Sequence, residues 1–312
     1  MAYSCTTLFP TLPARRAANA RFVLTPLAML LALAQPAWSQ TTAGDQAVTL
    51  STVVVTGNPL GSDALASPST VIEGKDLDLR RAATLGETLN GLPGVSTTTY
   101  GPMVGRPIIR GMDGDRIRLL QNGVGTLDAS ALSYDHAVPQ DPLSTERIEI
   151  LRGPAALLYG GNAIGGVVNT IDNRIPMDPI EGVHGGLQGS YGGANDDRSG
   201  AVQLEAGNGK FALHADAFGR KTGELRIPGY ARSDRQRAID GPDVEQPRDR
   251  LPNSDGSASG GALGMSWTGD SGYAGLSYSG YDSDYGSVAE DSVRIRMHQE
   301  REYPGRTIGT GL

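Results

Sequence analysis

Two adjacent side chains, Asp135 and His136, have the chemistry needed to bind a divalent metal ion. They lie in the polar stretch LSYDHAVPQDP, residues 132–142. A carboxylate oxygen and an imidazole nitrogen are both common ligands of zinc. A lone Asp–His pair also occurs as the cap of a turn, so a purely structural role is the alternative.

No residue pattern in the chain predicts an enzyme. There is no Ser–His–Asp order, carboxylate pair or phosphate-binding loop in a suitable context. The stretch GGNAIGG, residues 160–166, lacks the G-x-G-x-x-G spacing of a dinucleotide site. The only cysteine, Cys5, cannot form an internal disulfide framework or a zinc–thiolate site. The net charge of −7 argues against nucleic acid as a partner. We expect no resident cofactor, and a bound metal would be cargo.

Residues 1–39 have the composition of a secretory signal peptide. Arginines precede a short apolar core, residues 22–34, and small residues stand at Ala37 and Ser39 before an expected cleavage site. The core contains Pro26 and is shorter than a membrane span of about 20 residues. We therefore expect export and removal of this segment, with an uncleaved anchor as the alternative.

Residues 40–60 read as a tether that carries one short β-prone segment. Three consecutive valines in STVVVTG, residues 51–57, favour an extended strand, and Gly57 and Pro59 then break it. An isolated strand on a flexible tether is suited to pairing with the sheet edge of another protein. The alternative is an ordinary first strand of the following domain.

Residues 61–178 have the pattern of a compact α+β domain. Thr84 and Glu87 form a T-x-x-E capping box, which predicts the start of a helix. Asn122 and Gly123 predict a hairpin turn after the strand RIRLLQ. The segment RIEILRGPAALLYGGNAIGGVVNTI, residues 147–171, predicts a strand, a break, a glycine cluster and a second strand.

Residues 179–312 alternate between apolar and polar side chains in about six segments. In FALHADAF, for example, Phe211 and Leu213 oppose His214 and Asp216. A soluble sandwich would alternate in the same way. Export, aromatic residues at the ends of the apolar faces, and short turns that alternate with a long polar connection at about 219–260 favour a transmembrane barrel instead. His184, His214 and His298 are interpreted as water-facing residues of its lumen.

Four ordered motifs resemble those of TonB-dependent outer-membrane receptors. STVVVTG resembles the TonB box, LNGLPGVS the helix exit of the plug domain, and IIRGMDGDRIRLLQNGV a plug strand and turn. The segment STERIEILRGPAALLYGGNAIGGVVNTI resembles the most characteristic plug motif. The resemblance implies an α+β plug domain followed by an antiparallel transmembrane β-barrel. Family barrels have about 22 strands. Six strands cannot close one, so we expect an incomplete barrel and a truncated chain.

The resemblance also implies roles for particular residues. A ligand binds outside the cell, and TonB in the periplasm then pairs with Thr52, Val53, Val54 and Val55 and pulls. Residues expected to hold the plug together are Arg110, Gly111, Glu149, Arg152, Gly153, Gly165 and Gly166. The charged members of this set are expected to pair with one another or with lumen charges, and solvated salt bridges are the alternative. The glycines are expected to permit tight turns and close backbone approach.

The resemblance places the chain in the outer membrane of a Gram-negative bacterium, with TonB, membrane lipid and a small metal or metal chelate as partners. Asp135 and His136 resemble the plug-loop pair of receptors that import zinc. However, YGSVAEDSV, residues 285–293, lacks the histidines found in the outer loop of some zinc receptors. The alternative cargo is a ferric siderophore, an aromatic anion that would contact Tyr100, Arg106 and Tyr134. A further alternative is a non-functional fragment of such a receptor.

Overall fold

The computed structural model describes residues 69–269, 272–288 and 292–308. All of them belong to one compact unit, Thr52–Leu312. The predicted signal peptide, the tether and the TonB-box residues lie outside the described residues, so these assignments stay predictions. The boundaries proposed between the domains also stay predictions.

The first half of the described chain is an α+β domain, which we call the plug. Its elements are β1 (Ser69–Glu73), α1 (Gly74–Arg80), α2 (Leu85–Leu89), β2 (Val95–Thr97), β3 (Pro107–Ile109), β4 (Ile117–Gln121), β5 (Val124–Gly125), β6 (Arg147–Leu151) and β7 (Gly166–Ile171). Five strands form one sheet in the order β1–β6–β7–β4–β5, in which only β4 and β7 pair in parallel. β2 and β3 form a separate hairpin.

Local sequence signals place the plug elements. The Thr84 side chain accepts a hydrogen bond from the Glu87 amide at 3.1 Å, so the predicted N-cap of α2 is present. The alternating isoleucines of β6 face the core, where Ile148 and Ile150 are fully buried together with Leu77 of α1. Their burial packs the sheet and the helices into one apolar core.

The second half forms a six-stranded antiparallel sheet, which we call the wall. Its strands are β8 (Glu181–Gly192), β9 (Asp197–Asn208), β10 (Phe211–Thr222), β13 (Gly256–Gly269), β14 (Gly272–Gly286) and β15 (Arg294–Ile308), and the intervening β11 (Arg226–Tyr230), α3 (Asp234–Asp240) and β12 (Arg248–Arg250) lie in one long connection. The order is β15–β14–β13–β10–β9–β8. The predicted fold class, a plug followed by an unclosed antiparallel sheet, is confirmed.

The long connection is shorter and more structured than the sequence predicted. Pairing of β10 with β13 continues to Thr222 and Gly256, because polar side chains at the end of β10 face the plug and remain in register. The connection therefore spans residues 223–255 and contains the β11–β12 hairpin and α3.

Apolar side chains on the outer face of the wall, which points away from the plug, form a diagonal band. We call the end of the wall that carries the long connection its upper end. The last apolar side chains towards this end are Tyr191 on β8, Val202 on β9 and Tyr278 on β14. When the paired residues are followed from strand to strand, Tyr191 on β8 corresponds to Asp284 on β14. Asp284 lies six residues beyond Tyr278, towards the end of the wall that carries the long connection. Strands that cross a membrane at a tilt need such a diagonal to keep their apolar band level with the lipid.

The prediction that the three wall histidines face water in the lumen is wrong in two cases. His298 faces outward, because Ile295 lies opposite the buried Tyr285 and packs against the plug. His214 faces inward but is only 3% exposed, because the plug covers it. His184 lies on the inner face and is exposed, with Nε2 2.9 Å from the Glu181 carbonyl oxygen.

Within the described residues, no helix has both the length and the apolar character required to cross a membrane.

Candidate ligand-binding site

The loop that carries Asp135 and His136 lies at one end of the plug, against the upper ends of the wall strands. The Ala137 amide donates a hydrogen bond to the Tyr285 hydroxyl at 2.7 Å, and Met103 and Val104 of a neighbouring plug loop pack beside them. The long wall connections lie at this end, whereas short turns join the strands at the other end. In outer-membrane barrels the longer loops are extracellular. We call this end of the plug the apex.

The side chains of Asp135 and His136 are bonded to each other at the apex. Asp135 Oδ1 lies 2.9 Å from His136 Nδ1 and also accepts a hydrogen bond from the Ser133 hydroxyl. The bond from Ser133, and then that from His136, lower the pKa of Asp135 below its ordinary value. An ionised carboxylate here accepts the Nδ1 proton, which leaves the lone pair of a neutral His136 on Nε2.

This geometry gives the two residues different roles. Carboxylates that orient a metal-binding histidine contact the nitrogen that does not bind the metal. Asp135 occupies that position, and His136 Nε2 is the atom left to coordinate a ligand. Among the residues that the structure describes, no group of three His, Cys, Asp or Glu side chains could hold a metal ion.

Two tyrosines of the apical loops stack on each other. The rings of Tyr100 and Tyr134 stack with centroids 6.3 Å apart and an interplanar angle of 9°. Tyr134 is 48% exposed, and Leu132 on the same loop is 89% exposed. Solvent-exposed aromatic and apolar side chains on the loop that also carries His136 are suited to a planar aromatic ligand.

Arg106, expected to contact the ligand, is buried inside the plug. Its guanidinium donates to the Asp128 carboxylate, to the Ser130 hydroxyl at 2.6 Å, and to the Gly114 and Ile117 carbonyl oxygens at 3.0 and 2.9 Å. These bonds join the apical loops to the rest of the plug. Arg106 therefore supports the site and does not face an incoming ligand, which corrects the sequence-based expectation.

The charged plug residues do not pair as expected. Glu149 is 3% exposed and pairs with Arg147 at 3.0 Å, its neighbour on β6. Arg152 donates to the Pro93 carbonyl oxygen at 2.7 Å and to the Thr70 hydroxyl. Arg110 is exposed. Glu149 and Arg152 thus make their contacts within the plug, with a residue of the same strand, a loop carbonyl and a hydroxyl of β1.

The glycines beside this group stand where the backbone requires them. A Cβ on Gly165 would lie 2.9 Å from the Arg116 carbonyl oxygen. Gly166 has φ +141°, and a Cβ there would lie 2.9 Å from the Leu151 carbonyl oxygen. Gly111 and Gly153 also have positive φ, at 77° and 87°. Larger residues would strain these turns.

Sequence reasoning missed the polar contacts between plug and wall. Arg220 of β10 is buried and pairs with Asp141 of the plug at 3.3 Å and with Asp197 at 2.9 Å. Arg174, three residues after β7, pairs with Asp216 of β10 at 3.1 Å. The sequence signal was an arginine at an inward position of a period-two strand, but its partner could not be identified without the register.

Comparison with known proteins agrees with this architecture. Residues 62–167 match the family described as "TonB-dependent Receptor Plug Domain". A "Hemin receptor" from Yersinia pestis is 32% identical over 185 residues, which cover 58% of this chain and 25% of that protein. The chain thus spans about a quarter of the length of this curated relative.

Solved structures share the fold at low sequence identity. The "Copper transporter OprC" has a TM-score of 0.57 and 17% identity, covering 74% of this chain and 33% of that one. A mutant of the ferric enterobactin receptor PfeA from Pseudomonas aeruginosa has a TM-score of 0.56 and 19% identity, covering 80% and 39%. The matching family model describes a receptor domain and the curated relative is a receptor, which agrees with the expectation that the chain is not an enzyme. Residues 62–167 thus form a plug domain of the kind found in TonB-dependent receptors, and it packs against an antiparallel wall whose fold is that of the solved structures.

Proposed function

We propose that the protein acts in the TonB-dependent import of a metal chelate, which it captures at the apex of the plug. The observation that carries this proposal is the stacked pair Tyr100–Tyr134 on the loops that also present an oriented imidazole, since Tyr134 is two residues before His136. Relatives described as a hemin receptor, a copper transporter and a ferric enterobactin receptor support a metal-containing cargo.

The geometry favours a planar chelate with an open coordination position, such as hemin. A bare zinc ion needs three or four protein ligands. A planar iron chelate brings its own in-plane donors and needs only an axial ligand and a stacking surface. His136 Nε2 supplies the first and the tyrosine pair supplies the second.

A bare divalent ion such as zinc is the second candidate. Asp135 Oδ1 and His136 Nδ1 lie 2.9 Å apart, close enough to share one ion if the proton between them leaves. The remaining ligands would then come from outside the described residues. A ferric siderophore, whose iron is already saturated, would use the tyrosine surface and would not need His136.

Ligand titration of the chain in detergent micelles separates these candidates. We expect hemin to bind, His136→Ala to weaken it by roughly tenfold or more, and Tyr100→Ala with Tyr134→Ala to weaken it further. His184→Ala, at the opposite end of the wall, is the matched control and should bind as the parent does. Zinc binding that needs Asp135 and His136 equally would favour the bare ion. A ferric catecholate that binds independently of His136, with no hemin binding, would favour the siderophore.

Energy coupling through residues 52–55 is a separate part of the proposal. Proline at Val54 removes an amide that an added strand would donate to TonB. We expect Val54→Pro to abolish binding of the periplasmic domain of TonB while hemin binding is retained. Ala43→Pro, in the same tether but outside the valine run, should leave both unchanged. Equal loss of TonB and hemin binding in Val54→Pro would contradict the assignment.

A further inference from the structure

Two cations face each other on the outer surface of the wall. Arg198 on β9 and Lys221 on β10 are direct cross-strand neighbours, and both are exposed. Within the described residues neither has an acidic side chain at ion-pair distance. Like charges directly opposite each other destabilise a sheet. Their placement therefore leaves two neighbouring positive charges that one anion could bridge.

The pair lies just above the apolar band. Val202 and Ala217, at the upper limit of the band on the same two strands, are each four residues below the pair. Four residues of a strand tilted by about 45° rise about 9 Å. Headgroups occupy a layer of about 5–7 Å beyond the hydrocarbon core. Flexible arginine and lysine side chains can reach into that layer from above.

An aromatic residue on the next strand marks the membrane–water interface nearby. Tyr191 on β8 lies directly opposite Arg198 and is 67% exposed on the outer face. Tyrosine is enriched where the membrane meets water. The two cations, one and two strands away from Tyr191, therefore lie within side-chain reach of the layer where lipid phosphates are found.

The surface beside the pair has room for a headgroup. A groove of about 700 Å³ is lined by Arg198, Gly219, Lys221, Ser257, Ser259 and Asp284, among others. A Cβ on Gly219 would meet no atom within 4 Å, so the groove is open above this residue.

The two carboxylates that line the groove already have basic partners. Asp284 pairs with Arg294 at 2.6 Å and with Arg296 at 2.7 Å. Asp282 lies 2.6 Å from His298 Nδ1. The charge that the groove leaves uncompensated is thus the positive charge of Arg198 and Lys221.

We propose that Arg198 and Lys221 bind the phosphate of a lipid headgroup in the outer leaflet. Arginine can donate two parallel hydrogen bonds to one phosphate, and lysine adds a point charge. Bound lipid would relieve the repulsion between the two cations and hold the wall at a fixed depth in the membrane. This site lies on the lipid side of the wall and is separate from the apex.

Native mass spectrometry of the detergent-solubilised chain tests the site with phosphatidic acid and with phosphatidylcholine of the same acyl chains. The phosphate of phosphatidic acid is exposed, and we expect it to bind preferentially. Each basic side chain near a membrane surface contributes about 1 kcal/mol. Arg198→Gln with Lys221→Gln should therefore weaken phosphatidic acid binding by roughly tenfold or more. Added salt should weaken it in the parent.

The control removes the same charge elsewhere. Lys210→Gln with Arg250→Gln alters two exposed cations outside the groove and should leave lipid binding unchanged. The Arg198/Lys221 variant should melt no lower than the parent, because the substitution removes a repulsive pair. Equal retention of phosphatidic acid by that variant and the parent would overturn the proposal. Inorganic phosphate that binds the pair as tightly as the lipid does would also overturn it, since the site would then be for a free ion.

Discussion

Replacing Arg220 with methionine should loosen the plug from the wall. Arg220 is 5% exposed, and its guanidinium contacts Asp141 at 3.3 Å, Asp197 at 2.9 Å and the Ala82 carbonyl oxygen at 3.2 Å. Asp141 is 4% exposed, so without Arg220 it would be a buried and uncompensated carboxylate. Methionine fills a similar volume and adds no charge, which limits the change to the lost pairing.

The expected loss follows from the burial of the partner. Breaking a buried ion pair from one side costs about 3–5 kcal/mol. At about 3 kcal/mol, local opening of the plug becomes roughly 100-fold more frequent. Adding Asp141→Asn should recover much of the loss, because the buried charge is then removed. Arg226→Met is the matched control, since Arg226 pairs with Asp196 at 2.7 Å on the surface and such pairs contribute less than about 1 kcal/mol.

Native-state hydrogen exchange measured by mass spectrometry gives the required local readout. We expect faster exchange in plug strands β6 and β7 of Arg220→Met, with exchange in wall strand β14 unchanged. The reasoning is refuted if Arg220→Met exchanges no faster than Arg226→Met. It is also refuted if adding Asp141→Asn makes the plug still less protected.

Three further changes test other contacts. Gly264→Ala should loosen residues 172–175, because a Cβ at position 264 would lie 1.7 Å from the Arg174 carbonyl oxygen. Hydrogen exchange at residues 172–175 should therefore become faster. The control Gly186→Ala, where a Cβ would have no atom within 4 Å, should leave this exchange unchanged. Burial raises the pKa of Glu146, so ionising this carboxylate costs stability as the pH rises through its folded-state pKa. Glu146→Gln should therefore raise the melting temperature at pH 7 but not in acid below about pH 4, and an equal gain at both pH values would contradict this. Asp135→Asn should weaken hemin binding severalfold by disorienting the imidazole; tighter binding would contradict the orienting role.

Much of the fold could be predicted from local signals. The capping box at Thr84 marked the start of α2, and the Gly153–Pro154 break marked the end of β6, because these features depend on neighbours in sequence. Period-two alternation likewise marked the wall strands and distinguished their two faces on β10. These signals are strong because a one-residue slip would turn every side chain to the wrong face.

The remaining contacts depend on which strands are neighbours. His214 reads as a lumen residue, but Glu205 on the paired strand and Asp216 on its own strand each lie 3.1 Å from its ring, beneath the plug. On β15 the polar face points outward because this part of the strand lies above the diagonal band. Arg106 could be taken for a ligand contact because sequence does not show that four acceptors surround it inside the plug.

The absorption spectrum of hemin bound to the detergent-solubilised chain most directly tests ligand capture at the apex. We predict a Soret band shifted from that of free hemin, as expected for histidine coordination. The shift should disappear in His136→Ala and persist in His184→Ala. A shifted spectrum that is identical in the parent and in His136→Ala would contradict the proposal that the apex captures its cargo through this imidazole.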